Sequence, residues 1–251
     1  MRKRISRPAK SRRDTAHLAE ELERRTLLST AIAAFAPQVT LAVGAQPRSV
    51  ATADVNSDVK LDLLVANGLA GTLGVLLGNG NGSFDAQSAF SVGTTPFSVA
   101  AADVNRDGKI DLVVANNGSA NVSVLLGSGN GTFAPQTTFA AQTQARFVAI
   151  ADFNGDGKPD IAVANYGSDS VSILLGNGNG SFQPQKTFSA GTQPSSIAVG
   201  DFNRDGKLDL AVADKSPGTV SILLGNGSGG FAAPTPFGAG TLPFSVSTAD
   251  L

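Results

Sequence analysis

The chain is 251 residues long, enough to bury a sizeable core, and it carries 29 Gly, 14 Phe, no Trp and only 16% charged residues. It has no Cys, which excludes disulfides, thiolate metal sites and cysteine nucleophiles; the one His (His17) and all three Glu (Glu20, Glu21, Glu23) lie in the first 30 residues, so no imidazole serves catalysis beyond them. The net charge of −1 divides into +5 over residues 1–30 and −6 over the remainder, which argues against a uniformly basic, nucleic-acid-reading domain.

The first 36 residues begin with a basic run, MRKRISRPAKSRRD, and continue as AHLAEELERRTLLSTAIAAFA. The apolar stretch 26–36 has the length of an export-signal core and is far too short to span a membrane. Small-x-small cleavage sites occur at Ala31-Ile32-Ala33 and at Ala34-Phe35-Ala36, the second disfavoured by Pro37. Leu22 to Ser29, LERRTLLS, resembles a short leader of large secreted and surface proteins of some bacteria. The expectation is an exported, secreted or cell-surface protein; a short amphipathic helix and a basic arm are the alternatives. No other stretch is apolar enough for a transmembrane segment.

From residue 37 to 251 the chain repeats itself. Asp54, Asp103, Asp152, Asp201 and Asp250 recur every 49 residues, a period that suits one propeller blade and is too long for a solenoid coil. Each unit opens with a short apolar run, such as SVAAAD, FVAIAD or SIAVGD, usually after a Pro such as Pro96 or Pro194. An acidic loop follows. Then come two β-branched runs, DLVVAN, DIAVAN or DLAVAD and VSVLLG or VSILLG, separated by a polar turn; their lengths and Val/Ile content predict strands. A Gly/Asn turn such as GNGNGSF leads into a fourth extended segment.

That segment holds two Phe six residues apart in every copy: Phe84 and Phe90, Phe133 and Phe139, Phe182 and Phe188, Phe231 and Phe237. The even spacing places both rings on one face of a strand, where they are read as core. Four strands per unit with both faces apolar predict an all-β fold, a β-propeller of four-stranded blades whose core is spread over blade interfaces.

Four complete loops align as Asp54-Asn56-Asp58-Asp62, Asp103-Asn105-Asp107-Asp111, Asp152-Asn154-Asp156-Asp160 and Asp201-Asn203-Asp205-Asp209, with oxygen-bearing residues at positions 1, 3, 5 and 9. With Asp250 they hold thirteen of the sixteen acids beyond residue 30, leaving only Asp85, Asp169 and Asp214. Carboxylates held so close repel one another unless a hard cation sits among them. Ca²⁺, which takes six to eight oxygens in irregular geometry, is the expected ligand and Mg²⁺ the weaker fit. The backbone carbonyl of position 7 (Lys109, Lys158, Lys207) completes the donor set, its side chain expected in solvent. Gly108, Gly157 and Gly206 at position 6 allow a sharp turn. An EF-hand is excluded because position 12 is Val114, Val163 or Val212 and the loop enters a strand. An Asp-Gly hairpin with one capping Asp would not need four oxygens in register. The first loop has Val59 at position 6, where a β-branched residue resists positive φ by roughly 1–2 kcal/mol, so it is expected to be the weakest site.

The unit VAIADFNGDGKPDIAVANYGSDSVSILLGNGNGSFQPQ resembles the FG-GAP/VCBS repeats that build integrin-α-like β-propellers, over residues 37–251. The resemblance implies Ca²⁺ bound by the loops and an extracellular adhesion or ligand-binding module for a protein or glycan ligand at the cell surface. The literal Phe-Gly-Gly-Ala-Pro string is replaced by TFAPQ and SFQPQ.

The glycine strings do not precede a helix, so nucleotide binding is not expected, and Asn81, Asn130 and Asn179 in Asn-Gly-Ser/Thr sequons are accounted for by turn chemistry. Tyr166, the one Tyr, is read as a contact residue or as filler. Five inner-strand segments but four complete hairpins suggest a fragment of a larger ring, with further blades in a longer chain. No catalytic residue is expected, since a catalytic pair should occur once. The alternative is an accessory repeat domain of a secreted polysaccharide-acting enzyme, for which Asp85, Asp169 and Asp214 are the uncommitted acids.

Overall fold

The structure is a computed structural model, described over residues 37–249 apart from Pro217; the reading of residues 1–36 and the opening Asp250 of the fifth loop fall outside the described residues. All the described strands lie in a unit that begins at Leu41. The first blade comprises β1 (Pro47–Ala53), β2 (Asp62–Asn67), β3 (Thr72–Leu76) and β4 (Ser88–Ser91). The second comprises β5 (Pro96–Ala102), β6 (Asp111–Asn116), β7 (Asn121–Leu125) and β8 (Thr137–Ala140). The third comprises β9 (Ala145–Ala151), β10 (Asp160–Asn165), β11 (Ser170–Leu174) and β12 (Lys186–Ser189), and the fourth β13 (Pro194–Gly200), β14 (Asp209–Asp214), β15 (Thr219–Leu223) and β16 (Thr235–Gly238). Each set forms one antiparallel sheet in chain order. The all-β propeller-blade reading of the repeat therefore holds.

The two-residue period of a strand explains the core. On β6, Leu112 and Val114 pack toward the first blade, whereas Val113 and Ala115 pack toward the third. Three apolar clusters result, one in each blade interface, and burying each Leu or Val contributes roughly 1.5–3 kcal/mol. Both faces of the middle strands are thus used, which is why β6, β10 and β14 are buried at every residue.

The paired Phe do not share a strand face. Phe84, Phe133, Phe182 and Phe231 each make an isolated bridge to a glycine before the fourth strand starts. The intervening residues, such as Ala134-Pro135-Gln136, break the strict alternation. The second ring of one blade meets the first ring of the next: Phe90 on Phe133 and Phe139 on Phe182, both at 5.2 Å, and Phe188 on Phe231 at 5.5 Å, all edge to face. The rings are core, as expected, but they stitch neighbouring blades rather than line one side of a sheet.

Every blade begins with the same irregularity. Gln46, Thr95, Gln144 and Gln193 adopt positive φ of 51–57° just before the inner strand. One residue further into each inner strand is then skipped in the pairing register with the second strand: Arg48, Phe97, Arg146 and Ser195. Leu242 repeats the positive φ, and residues 243–248 run beside β13, with the Val246 amide on Ser196 Oγ at 3.4 Å. This fifth inner segment forms no strand among the described residues, because no second strand pairs with it. Phe202, Leu224 and Phe237 on the fourth blade are 40%, 40% and 56% exposed, whereas their counterparts Phe153 and Leu175 in the third are buried under the next blade.

Candidate functional site

The acidic loops join β1 to β2, β5 to β6, β9 to β10 and β13 to β14. In each, the position-1 carboxylate accepts the backbone N–H groups of positions 5 and 6; in the third loop Asp152 Oδ1 accepts from Asp156 at 3.2 Å and Oδ2 from Gly157 at 2.7 Å. Asn154 Oδ1 converges on the same Asp156 amide at 3.0 Å. Asp54 with Asn56, Asp103 with Asn105 and Asp201 with Asn203 repeat this convergence. The position-5 carboxylate turns onward to the amide of position 7, as Asp58 does to Lys60, Asp107 to Lys109, Asp156 to Lys158 and Asp205 to Lys207, each at 3.0 Å. The sequence forms this loop because side chains one and two bonds long reach local amides that a tight turn leaves without partners.

Position 6 has φ of 82°, 76° and 78° at Gly108, Gly157 and Gly206, as expected of glycine there. Val59 is forced to 67° in the first loop and is 93% exposed, so no packing repays its strain. Position 4 is also left-handed, at Ser57, Arg106, Gly155 and Arg204, which the sequence reading missed; only the third loop has Gly at both.

The lysines at position 7 do not point freely into solvent. Nζ of Lys60, Lys109, Lys158 and Lys207 lies 3.1, 3.7, 3.0 and 3.2 Å from the position-5 carboxylate. Crowded anionic oxygens capture the nearest flexible cation, and the lysine, two residues on, is that cation. The ammonium groups of Lys60 and Lys158 hold Asp58 and Asp156 below the usual carboxylate range. At Asp205 desolvation pushes upward, but the amide and ammonium of Lys207 and the Asn203 side chain outweigh it, so that carboxyl is also lowered.

The position-9 carboxylates occupy a different setting. Asp62, Asp111, Asp160 and Asp209 are wholly buried. Oδ2 accepts the amide of position 2, at 2.8 Å from Val55, 3.0 Å from Val104, 2.9 Å from Phe153 and 2.9 Å from Phe202. Oδ1 accepts the amide of the glycine that ends the LLG run, Gly78, Gly127, Gly176 or Gly225, sixteen residues on, at 2.7–2.8 Å. A Cβ on any of these glycines would overlap the carbonyl oxygen of position 8, which explains the invariant Gly of LLG. Burial pushes Asp111 and Asp160 upward; the nearby charges of Asp152 and Asp156 push Asp160 further the same way. The buried acid therefore senses the loop carboxylates without leaving its own amides.

Among the described residues, no three Asp, Glu, His or Cys side chains are gathered into a metal-holding group. A hard cation would thus be held by the carboxylates at positions 1 and 5, the amide oxygen at position 3 and a main-chain carbonyl, an all-oxygen set of the chemistry Ca²⁺ takes. Of the uncommitted acids, Asp214 is wholly buried and accepts from Ser221 and Thr219 at 2.6 and 3.1 Å, in the place that Asn67, Asn116 and Asn165 fill in the other blades. Burial pushes its carboxyl upward. Asp169 takes the Gln193 amide at 2.8 Å, and Asp85 receives Asn79 Nδ2 at 3.3 Å.

The sequence profile of the FG-GAP-like repeat matches residues 54–114, 103–163, 152–212 and 201–251, and the chain belongs to that family. No curated protein shows significant similarity to it. Among solved structures, the chain resembles BBS1N in complex with ARL6DN, soaked with lead, at 17% identity and a TM-score of 0.59, covering 85% of this chain and 63% of that one. A functionally unknown protein from Desulfotomaculum acetoxidans matches at 16% identity and a TM-score of 0.59, covering 82% and 60%. An Agrocybe aegerita lectin that recognises non-reducing terminal N-acetylglucosamine matches at 21% identity and a TM-score of 0.51, covering 77% and 52%. The chain thus spans less than two thirds of each of these structures.

Proposed function

We propose that this FG-GAP-like repeat protein is a non-catalytic, extracellular recognition module whose acidic loops bind Ca²⁺ and whose blades present a surface to a protein or glycan. The observation that carries the reading is the convergence of Asp152 Oδ1 and Asn154 Oδ1 on one amide, beside an Asp156 carboxylate already holding an ammonium, repeated at 49-residue intervals. Each loop concentrates negative oxygens on one exposed turn and pairs them with only one ammonium group. Bound there, Ca²⁺ supplies charge neutralisation that the lysine provides in part.

Two similar folds carry partners, BBS1N a protein and the Agrocybe aegerita lectin a terminal sugar, which supports recognition as the role. The non-catalytic reading rests on the acids: those in the loops are committed four times over, and Asp214 is sealed from any substrate. Among the described residues no helix is long and apolar enough to cross a membrane.

The test is thermal melting of the intact chain with Ca²⁺ and with a chelator. At free Ca²⁺ ten times the dissociation constant, each site adds about 1.4 kcal/mol, so chelation lowers the melting temperature by several degrees. Superimposable curves would rule the metal out of the fold.

A further inference from the structure

The 49-residue units agree closely except at particular positions, and two of those lie together. The residue skipped in the pairing register runs Arg48, Phe97, Arg146 and Ser195, and the same position 49 residues after Ser195 is Phe244. The residue after the second strand runs Gly68, Asn117, Tyr166 and Lys215. In space these two variable positions form a chain of alternating cations and rings. The Arg48 guanidinium lies 5.3 Å from the Phe97 ring centre, Arg146 lies 4.6 Å from Phe97 and 4.4 Å from Tyr166, and Lys215 lies 5.8 Å from Tyr166 and 5.0 Å from Phe244. A bulge re-aims the side chain of its unpaired residue, and such irregularities recur beside functional sites.

Charge placement supports the same surface. Ten basic residues follow residue 30; Lys60, Arg106, Lys109, Lys158, Arg204 and Lys207 belong to the acidic loops. Three of the remaining four, Arg48, Arg146 and Lys215, meet in this chain of rings. The four ion pairs among the described residues all lie in the acidic loops, so none of the three is neutralised by a carboxylate there. Arg146 also donates no hydrogen bond to a described residue, although its guanidinium carbon lies 4.6 Å from the Phe97 and 4.4 Å from the Tyr166 ring centre. Such a guanidinium is oriented in advance, with its N–H edges left for a planar oxyanion.

Beside Arg146 lies a cavity of about 270 Å³, lined by Arg48, Phe97, Arg146, Ser195, Ser196 and Phe244 among others. That volume falls just under the ~300–1,000 Å³ typical of drug-sized ligands and suits one sugar ring better than a folded surface. Phe244, 58% exposed, offers a ring face for sugar C–H groups, and the exposed Ser245 beside it offers a hydroxyl.

We propose that this cavity binds an acidic sugar, with the carboxylate of a uronate on Arg146, beside Arg48, and its ring against Phe244. The inference rests on the recognition role argued above and names its ligand class. The test is calorimetric titration of the full chain with oligogalacturonate, a neutral dextran oligosaccharide of equal length, and polyglutamate of equal charge. Oligogalacturonate should saturate, weaken as salt screens the cations, and bind at least about tenfold more tightly than either control, a difference of about 1.4 kcal/mol. Arg146→Gln and, as a second variant at an exposed site, Arg48→Gln should each weaken it, about tenfold for Arg146→Gln, with melting temperatures unchanged. Equal binding of the neutral oligosaccharide, equal binding of polyglutamate, or full affinity in both variants would overturn the proposal. A chain that binds no uronate yet melts higher with Ca²⁺ defeats this inference alone, whereas uronate binding without any Ca²⁺ effect defeats only the metal reading.

Discussion

Oδ1 of Asp160 accepts the amide of Gly176 at 2.7 Å, tying the end of an acidic loop to the end of the third strand sixteen residues later. The same carboxylate takes the Phe153 amide at 2.9 Å, so one buried acid fixes the exit of β9, the start of β10 and the exit of β11. Removing it leaves two buried amides without partners. Asp160→Ala should cost about 2–5 kcal/mol, seen as a fall of roughly 5–15 °C in melting temperature. Asp156→Ala, measured alongside in chelator, should change melting little, because that carboxylate is exposed. Equal losses in the two variants would contradict the division of labour between positions 5 and 9.

The strain at Val59 gives a prediction of opposite sign. Its φ of 67° is one that glycine adopts freely, and its side chain is 93% exposed. Val59→Gly removes roughly 1–2 kcal/mol of strain, offset in part by the greater freedom of glycine in the unfolded chain. A rise of about 2–4 °C is expected in chelator. No rise, or a fall, would mean that the first loop relaxes in some other way.

Asp214 gives a pH dependence. Burial raises its carboxyl above the ordinary value, against the opposing Ser221 and Thr219 hydroxyls, so the folded chain holds that proton more tightly than the unfolded one. Its contribution to folding is therefore present at low pH and is lost as pH rises through the raised value. Asp214→Asn installs the residue that the other three blades use and cannot ionise. The variant should melt higher at pH 7, with the advantage vanishing as pH falls below the ordinary aspartate value of about 3.9. An advantage that grows on acidification would reverse the assignment.

Much of this architecture was legible in the residues. The 49-residue period gave the blade, and the runs DIAVAN and VSILLG became β10 and β11 because Val and Ile alternate between two apolar interfaces. The Phe pairs were recognisable as core, but their faces were not, because Pro135 and its neighbours interrupt the strand between Phe133 and Phe139. Loop composition marked Asp160 as an oxygen donor; only three-dimensional proximity to Gly176, sixteen residues away, reveals which amides it takes up. Arg146 escaped notice, and Tyr166 was legible only as a contact residue or filler, because their meaning lies in a contact between neighbouring bulges and turns. The signal available beforehand was that aligned repeats disagree at residues 48, 97, 146 and 195 while agreeing around them.

Cation binding by the acidic loops remains the claim on which the functional account turns, and calcium titration of the intact chain by calorimetry tests it most directly. The account predicts saturable binding with about three comparable equivalents from the loops containing Gly108, Gly157 and Gly206, a weaker one from the loop containing Val59, and the loss of one equivalent in Asp152→Ala. Absence of saturable heat, or an Asp152→Ala chain that keeps every equivalent, would contradict it.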